Sequence, residues 1–520
     1  MTQAPIVIVG AGIGGLVSAA LLAADGHRVV VVDKEAGVGG KARRIEVDGA
    51  AIDAGPTVFT LRDVFDEIFA ACGASLEDWV TIHRAEVLAR HAWNPRERLD
   101  LFADPRRSEE AVGDFAGAQA AAGFRSFQAE SARIYAILEN SFLRAPKASW
   151  PGPLMWRIGL WRLNALHAIR PYETLWKALG EHFADPRLRQ LYGRYATYCG
   201  SSPFEAPATL MLIAHTEAKG VWLIDGGMSA LAEALRGLAE AQGAQFRLGT
   251  AVGRIEIERG RSSAVILETG ERLAASAVIV NADPAALGEG AFGVAASHAV
   301  APMKPRNRSL SAFTWLANAR TDGFPLLRHN VFFSPDYARE FTDIAAGRPP
   351  ADPSVYVCAQ DRDAANGSVP EGRERLQVIV NAPANGDTHS YSPEERERCT
   401  QAMRSSLARC GLELEAPLPH MLATPNEFAG RFPSTGGAIY GRASHGWAAS
   451  FLRQGTRTRI PGLYCAGGST HPGAGVPMAA LSGVQAAQTA MRDLASTRRF
   501  HPAATAGGMS MRSATTESTA

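Results

Sequence analysis

The chain opens with an unbroken apolar run, Ile6-Val7-Ile8-Val9, followed by Gly10-Ala11-Gly12-Ile13-Gly14-Gly15 and the leucine- and alanine-rich stretch Leu16 to Ala24. A second apolar run, Val29 to Val32, ends at Asp33. Such runs predict strands buried on both faces, and their order with the glycine turn and the helix predicts a dinucleotide-binding unit. Gly10 permits the tight turn, Gly12 lets the backbone approach a pyrophosphate, and Gly15 lets helix and strand pack, so that the positive helix N-terminus faces the anion. Asp33 lies 18 residues past Gly15, close to the roughly 20 expected for the acid that takes a ribose hydroxyl.

Farther along, Gly226-Gly227-Met228-Ser229 opens a helical pattern with Ser229 as cap and Leu231, Leu235 and Leu238 on one face. Strand patterns follow over residues 246–248, 253–258 and 264–269, then a buried run, Ala277 to Val280, ending in Asn281-Ala282-Asp283. Strand-like runs over 310–316, 330–333, 354–359 and 376–381 predict an antiparallel sheet in a second, substrate-binding domain. A strand pattern at Leu463 to Ala466 meets a glycine-rich turn and a last helix from Met478 to Leu494.

Composition narrows this picture. A chain of 520 residues, 46% hydrophobic, supports two or more domains. A net charge of +1 argues against nucleic acid. Pro5 to Ala24 carries no charge and is as long as a membrane span, but Met1 to Ala4 lacks the basic start of a signal peptide and the glycines suit a phosphate turn better. The six cysteines have no metal-ligand spacing; they read as reduced thiols of a cytoplasmic protein with no metal site.

After Asp33 come Lys34, then Gly37-Val38-Gly39-Gly40-Lys41-Ala42-Arg43 and Ile52-Asp53-Ala54-Gly55-Pro56-Thr57; near the end stands Gly467-Gly468-Ser469-Thr470-His471-Pro472-Gly473-Ala474-Gly475-Val476-Pro477. With the first fingerprint, these strings resemble the flavin-dependent carotenoid desaturases, relatives of phytoene desaturase in the amine oxidase superfamily, nearest to the hydroxyneurosporene and methoxyneurosporene desaturases of phototrophic bacteria. The resemblance implies a mixed α/β fold: a Rossmann-type FAD-binding domain, a sheet-containing substrate domain and a helical membrane-facing part. It implies FAD bound by Gly10, Gly12, Gly14, Gly15, Asp33, Lys34, Gly39, Gly40, Lys41, Gly55, Pro56, Val252, Gly467, His471, Gly473, Gly475, Val476 and Pro477. Lys41 stands where the family more often has arginine, one cation for another without the planar fork.

By the same resemblance the FAD domain comprises 1–85, 218–290 and 441–496, the substrate region 86–217 and 291–440, and residues 497–520 form a disordered tail. The implied reaction removes two hydrogens from an acyclic, 1-hydroxylated or methoxylated carotenoid, with quinone or oxygen left open as electron acceptor. A carotenoid isomerase, a multi-step phytoene desaturase, an amine oxidase and a non-catalytic prenyl-binding protein like the GDP-dissociation inhibitors are the alternatives. His471 is the one candidate base, with a positioning role as its rival. The Asp-x-x-Arg pair that some relatives have in roughly the region of residues 140–172 does not occur there.

Between Asn140 and Tyr172 there is no acid, while Arg144, Lys147, Arg157, Arg162 and Arg170 alternate with Trp150, Trp156 and Trp161. Such a segment suits an anionic membrane surface, each cation contributing about 1 kcal/mol, and places the protein at the inner or photosynthetic membrane as a peripheral component. His215 and Glu217, two apart on different helix faces, read as a satisfied histidine and a solvated acid.

Overall fold

The computed structural model describes residues 4–147, 168–362 and 370–499. Its first sheet is parallel, in the order Leu463–Cys465, Ala277–Val280, Ile6–Val9, Val29–Val32 and Gln245–Arg247. Ile6 pairs with both Val29 and Ala277, so the first strand is central. Ile6 and Ile8 join the core under the helices Ile13–Ala24, Gly227–Ala241 and Val476–Arg499. Val7 and Val9 join a second core with Ile255 and Val265 of a three-stranded antiparallel sheet. Both faces are covered, which is why these strands have no polar alternation.

The second sheet has seven strands, in the order His420–Ala423, Ser311–Ala319, Glu374–Ala382, Val355–Ala359, His329–Phe332, Val87–Ala92 and Arg98–Phe102. All neighbours are antiparallel except His329–Phe332 beside Val87–Ala92. Two glutamines on this sheet clamp a loop of the first unit. Gln360 Oε1 accepts from Asp53 N at 3.0 Å and its Nε2 donates to Asp53 O at 2.8 Å, while Gln377 Nε2 donates to Gly55 O at 3.0 Å. Helices Ala118–Leu138, Leu175–His182 and Pro186–Gly193 pack around a cluster of aromatics, among them Phe127, Phe183 and Tyr192.

Three expectations change. Ser229 is not a cap: Gly226 precedes the helix without a side-chain bond, and Ser229 Oγ instead donates to Asp53 Oδ1 at 2.5 Å. Leu231, Leu235 and Leu238 are buried as expected. The last helix runs on to Arg499, past the expected start of the tail at 497; residues 500–520 lie outside the described residues.

The third change concerns the acid-free segment, of which Trp150, Trp156, Arg157, Trp161 and Arg162 lie outside the described residues. Its described cations have partners within the fold. Arg144 pairs with Asp63 and Glu67, both at 2.7 Å; Arg170 pairs with Glu173 and, at 2.7 Å, with Glu181; Lys147 Nζ donates to Arg453 O at 2.6 Å. Folding supplies the acids that the local sequence lacks. Among the described residues, no helix is long and apolar enough to cross a membrane.

Candidate functional site

A cavity of about 820 Å³ extends from the glycine turns of the parallel sheet to the inner face of the second sheet. This is within the roughly 300–1,000 Å³ of small-molecule sites. Of the residues expected at the cofactor, all but Gly15 and His471 line it.

The turn after the first strand shows why glycine is needed. Gly10 has a φ of +105°, and a Cβ at Gly15 would stand 2.2 Å from Gly10 O, so only glycine lets the helix start this close to the strand. The glycine turn at residue 467 comes equally near, since a Cβ at Gly14 would lie 2.8 Å from Gly467 N. The N-termini of helices Ile13–Ala24 and Val476–Arg499 both line the cavity, on the side of the glycine turns, and neither has an acid in its first turn. Their free N–H groups make this side an anion site.

Asp33 ends the second strand at the cavity, its Oδ2 accepting from Ala11 N at 2.6 Å and its Oδ1 from Glu35 N at 2.8 Å. Burial raises its pKa against those two bonds. Lys34 Nζ donates to Arg431 O at 2.8 Å. Lys41 is half-buried, donates to Ile439 O at 2.5 Å and lies 5.1 Å from the centre of the Phe432 ring; desolvation lowers its pKa, opposed by Asp283. Asn281, at the end of its strand, sits beneath the first turn: Nδ2 donates to Gly10 O at 3.2 Å, and Oδ1 is buried without a partner. Two helix N-termini, a carboxylate at the strand end and a glycine cradle over Asn281 fit a dinucleotide such as FAD.

His471 stands behind the wall rather than in the cavity. It is 2% exposed, its Nε2 lies 2.9 Å from Ala145 O, and its ring meets Phe142 edge-on at 4.7 Å. Burial pushes its pKa down to about 4. A neutral ring tied to a backbone carbonyl holds the turn in place, and this geometry favours positioning over proton transfer.

The shift has a consequence for stability. Folded His471 titrates near 4 and an unfolded histidine near 6.5, so between these values the unfolded chain binds more protons, and stability falls as pH falls from 6.5 towards 4. At pH 5 the loss is about 2 kcal/mol. Urea unfolding at pH 7.5 and pH 5 should therefore show a wild-type loss larger by about that amount than in His471→Gln, which can keep the bond to Ala145 O. Equal losses in the two proteins would contradict the buried neutral ring.

Toward the second sheet the wall becomes largely apolar, with Leu210, Leu212, Ile213, Val331, Val355 and Ile379; Thr314, Gln377 and Asn381 of the sheet also reach it, and a polar island stands around Glu217. Here the solvated-acid reading of Glu217 is corrected: it is 6% exposed, lines the cavity and accepts from the hydroxyls of Tyr195 and, at 3.5 Å, Tyr198. Burial raises its pKa, opposed by the Tyr195 bond and Arg194. Helix Leu212–Ala218 turns this residue inward, and Arg194 and Tyr198 arrive from the short 3-10 turn Arg194–Cys199. His215 packs its ring on Tyr135 at 5.0 Å. Beside the island, Tyr356 hydroxyl bonds Thr57 Oγ1 at 2.7 Å and His329 Nδ1 at 2.8 Å.

Known proteins bear on this geometry. The family model described as flavin containing amine oxidoreductase matches residues 13–491. The chain is 51% identical to hydroxyneurosporene desaturase of Rubrivivax gelatinosus over 98% of each chain. It is 44% identical to hydroxyneurosporene desaturase of Cereibacter sphaeroides, covering 95% of this chain and 99% of that one. Among solved structures, an oxidoreductase from Methanosarcina mazei superposes with a TM-score of 0.59 at 18% identity, over 94% of this chain and all of the other, which shows the shared fold.

Proposed function

The chain belongs to the flavin containing amine oxidoreductases and, within them, to the carotenoid desaturases, and on that premise we propose that it is an FAD-dependent desaturase of hydroxyneurosporene or a closely related acyclic carotenoid. The observation that carries this reading is the joining of the dinucleotide cradle to a largely apolar cavity half within one continuous space. FAD, when bound, supplies the two-electron acceptor for the hydrogens removed. The chain's own part is to hold and exclude. The two helix N-termini and Asp33 hold the dinucleotide, and Gln360 and Gln377 fix the loop through Asp53 and Gly55 against the second sheet. The apolar wall keeps water from the reacting carbons and orients a substrate with no charge of its own.

Peripheral contact with a membrane is the companion reading, since such a substrate is dissolved in lipid. Tyr172, Trp447 and Leu452 support it: they are 82%, 56% and 58% exposed, and the rings of Tyr172 and Trp447 lie 5.7 Å apart. Exposed aromatics of this kind sit well at headgroup depth.

The test is turnover of hydroxyneurosporene carried in liposomes by the flavin-loaded protein. A product two hydrogens poorer and absorbing farther to the red is expected, with binding favoured by anionic lipid and weakened by salt. A product of unchanged mass would point to isomerisation, and oxidation of amines without any carotenoid turnover would overturn the reading.

A further inference from the structure

The polar island in the apolar wall has more hydrogen-bonding capacity than the protein uses. Arg194 is 8% exposed and lines the cavity. Among the described residues its one side-chain bond runs from Nη2 to the Tyr198 hydroxyl at 2.8 Å, its guanidinium lies 4.9 Å from the centre of the Tyr198 ring, and Nε is buried without a partner. Among the described residues no carboxylate forms an ion pair with it; Glu217 is reached only through the Tyr198 hydroxyl. A guanidinium has five N–H donors, and leaving them idle in an apolar enclosure is costly. Glu217 faces the same cavity with lone pairs to spare, because Oε1 holds only the 3.5 Å contact to Tyr198.

A wall meant only for a hydrocarbon has no use for this set. The geometry points to Arg194, Tyr198 and Glu217 as a subsite for the hydroxyl of the carotenoid: Arg194 donates to its oxygen, Tyr198 turns its single hydroxyl hydrogen from the long 3.5 Å contact with Glu217 to the same oxygen, and Glu217 Oε1, so freed, accepts the substrate's hydrogen. This rests on the proposed carotenoid desaturation. In a 1-hydroxylated chain the oxygen is near the end of the polyene, so anchoring it also sets which carbons stop at the flavin. The island adjoins the flavin side of the cavity: Tyr356, whose surroundings include Tyr198 and Arg194, bonds Thr57, which follows Gly55 and Pro56. The three residues thus determine specificity and register.

The experiment compares hydroxyneurosporene with neurosporene, the same polyene without the hydroxyl, on the flavin-loaded protein in liposomes, by binding and by turnover. Wild type should favour the hydroxylated substrate by roughly tenfold to hundredfold, the range for one hydrogen-bonded group at a charged site. In Glu217→Gln and Tyr198→Phe this ratio should fall to a few-fold, chiefly through KM, with flavin content unchanged. Equal wild-type affinity for the two polyenes would overturn the subsite, needs no variant, and leaves desaturation itself standing. So would an equal drop in kcat on both substrates in Glu217→Gln, which would assign the carboxylate to the reacting carbons. If wild type desaturates neither polyene, the functional reading fails and the subsite with it.

Discussion

Gly12→Val is expected to give a folded protein that purifies without flavin. Gly12 precedes the first helix at φ −76° and ψ 172°, an extended conformation that valine adopts readily, so the backbone is not strained. The space is the obstacle. A Cβ here would lie 2.7 Å from Asn281 Nδ2, the amide that donates to Gly10 O, and Gly40 crosses so closely that its own Cβ would be 3.3 Å from Gly12 Cα. Pushing the Asn281 amide aside accommodates one carbon, but the two further methyls occupy the cradle where the helix N-terminus would meet a pyrophosphate. The flavin-to-protein ratio should fall at least tenfold, while far-ultraviolet circular dichroism stays that of wild type. Normal yellow colour in the variant would refute this placement of the anion. Gly15→Ala makes the contrast, because its Cβ would meet a backbone carbonyl at 2.2 Å that cannot step aside, and it should fail in folding.

Glu374→Ala should cost about 3–5 kcal/mol of stability, the range for removing one partner of a buried ion pair. Arg362 and Glu374 have side chains 4% and 2% exposed and meet through two bonds, Nε to Oε2 at 2.8 Å and Nη2 to Oε1 at 2.7 Å. Thr321 Oγ1 donates to the same carboxylate at 2.5 Å, and Arg362 Nη1 donates to Leu326 O at 3.1 Å. Alanine leaves the guanidinium charged and enclosed. Replacing both residues with methionine removes that charge and should recover most of the loss, since the net contribution of a buried pair is small once desolvation is counted. Urea unfolding of the three proteins decides it. A loss under about 1 kcal/mol in Glu374→Ala would mean that water reaches the pair.

The first strand, the glycine turn, the first helix and the second strand could be read from local pattern because their determinants are local. An apolar run covered on both faces, glycines where backbones cross and an acid at a strand end are written within about thirty residues, as the motif requires. The C-terminal string from Gly467 to Pro477 was equally legible, since a turn leading into a helix N-terminus is again a matter of adjacent residues. Four strand runs of the second sheet were visible too, but neither their order nor the remaining strands were: Val87–Ala92 joins His329–Phe332 across more than two hundred residues, and nothing local to either names its partner.

What only the tertiary structure decided is the state of the polar groups. Glu217 read as solvated because His215, two residues away, lies on a different helix face and could not pair with it, yet folding brings Tyr195, Tyr198 and Arg194 around it and closes it from water. Arg144 and Arg170 looked free for an anionic surface because their own segment lacks acids, yet Asp63, Glu67, Glu173 and Glu181 lie against them. His471 stood between a base and a positioning role, and packing against Ala145 and Phe142 holds it neutral behind the cavity wall. The sequence alone determined the dinucleotide cradle, whose chemistry resides in backbone conformation and the size of single residues. The fold decided the charges, because a side chain's desolvation and its partners depend on residues far away in the chain.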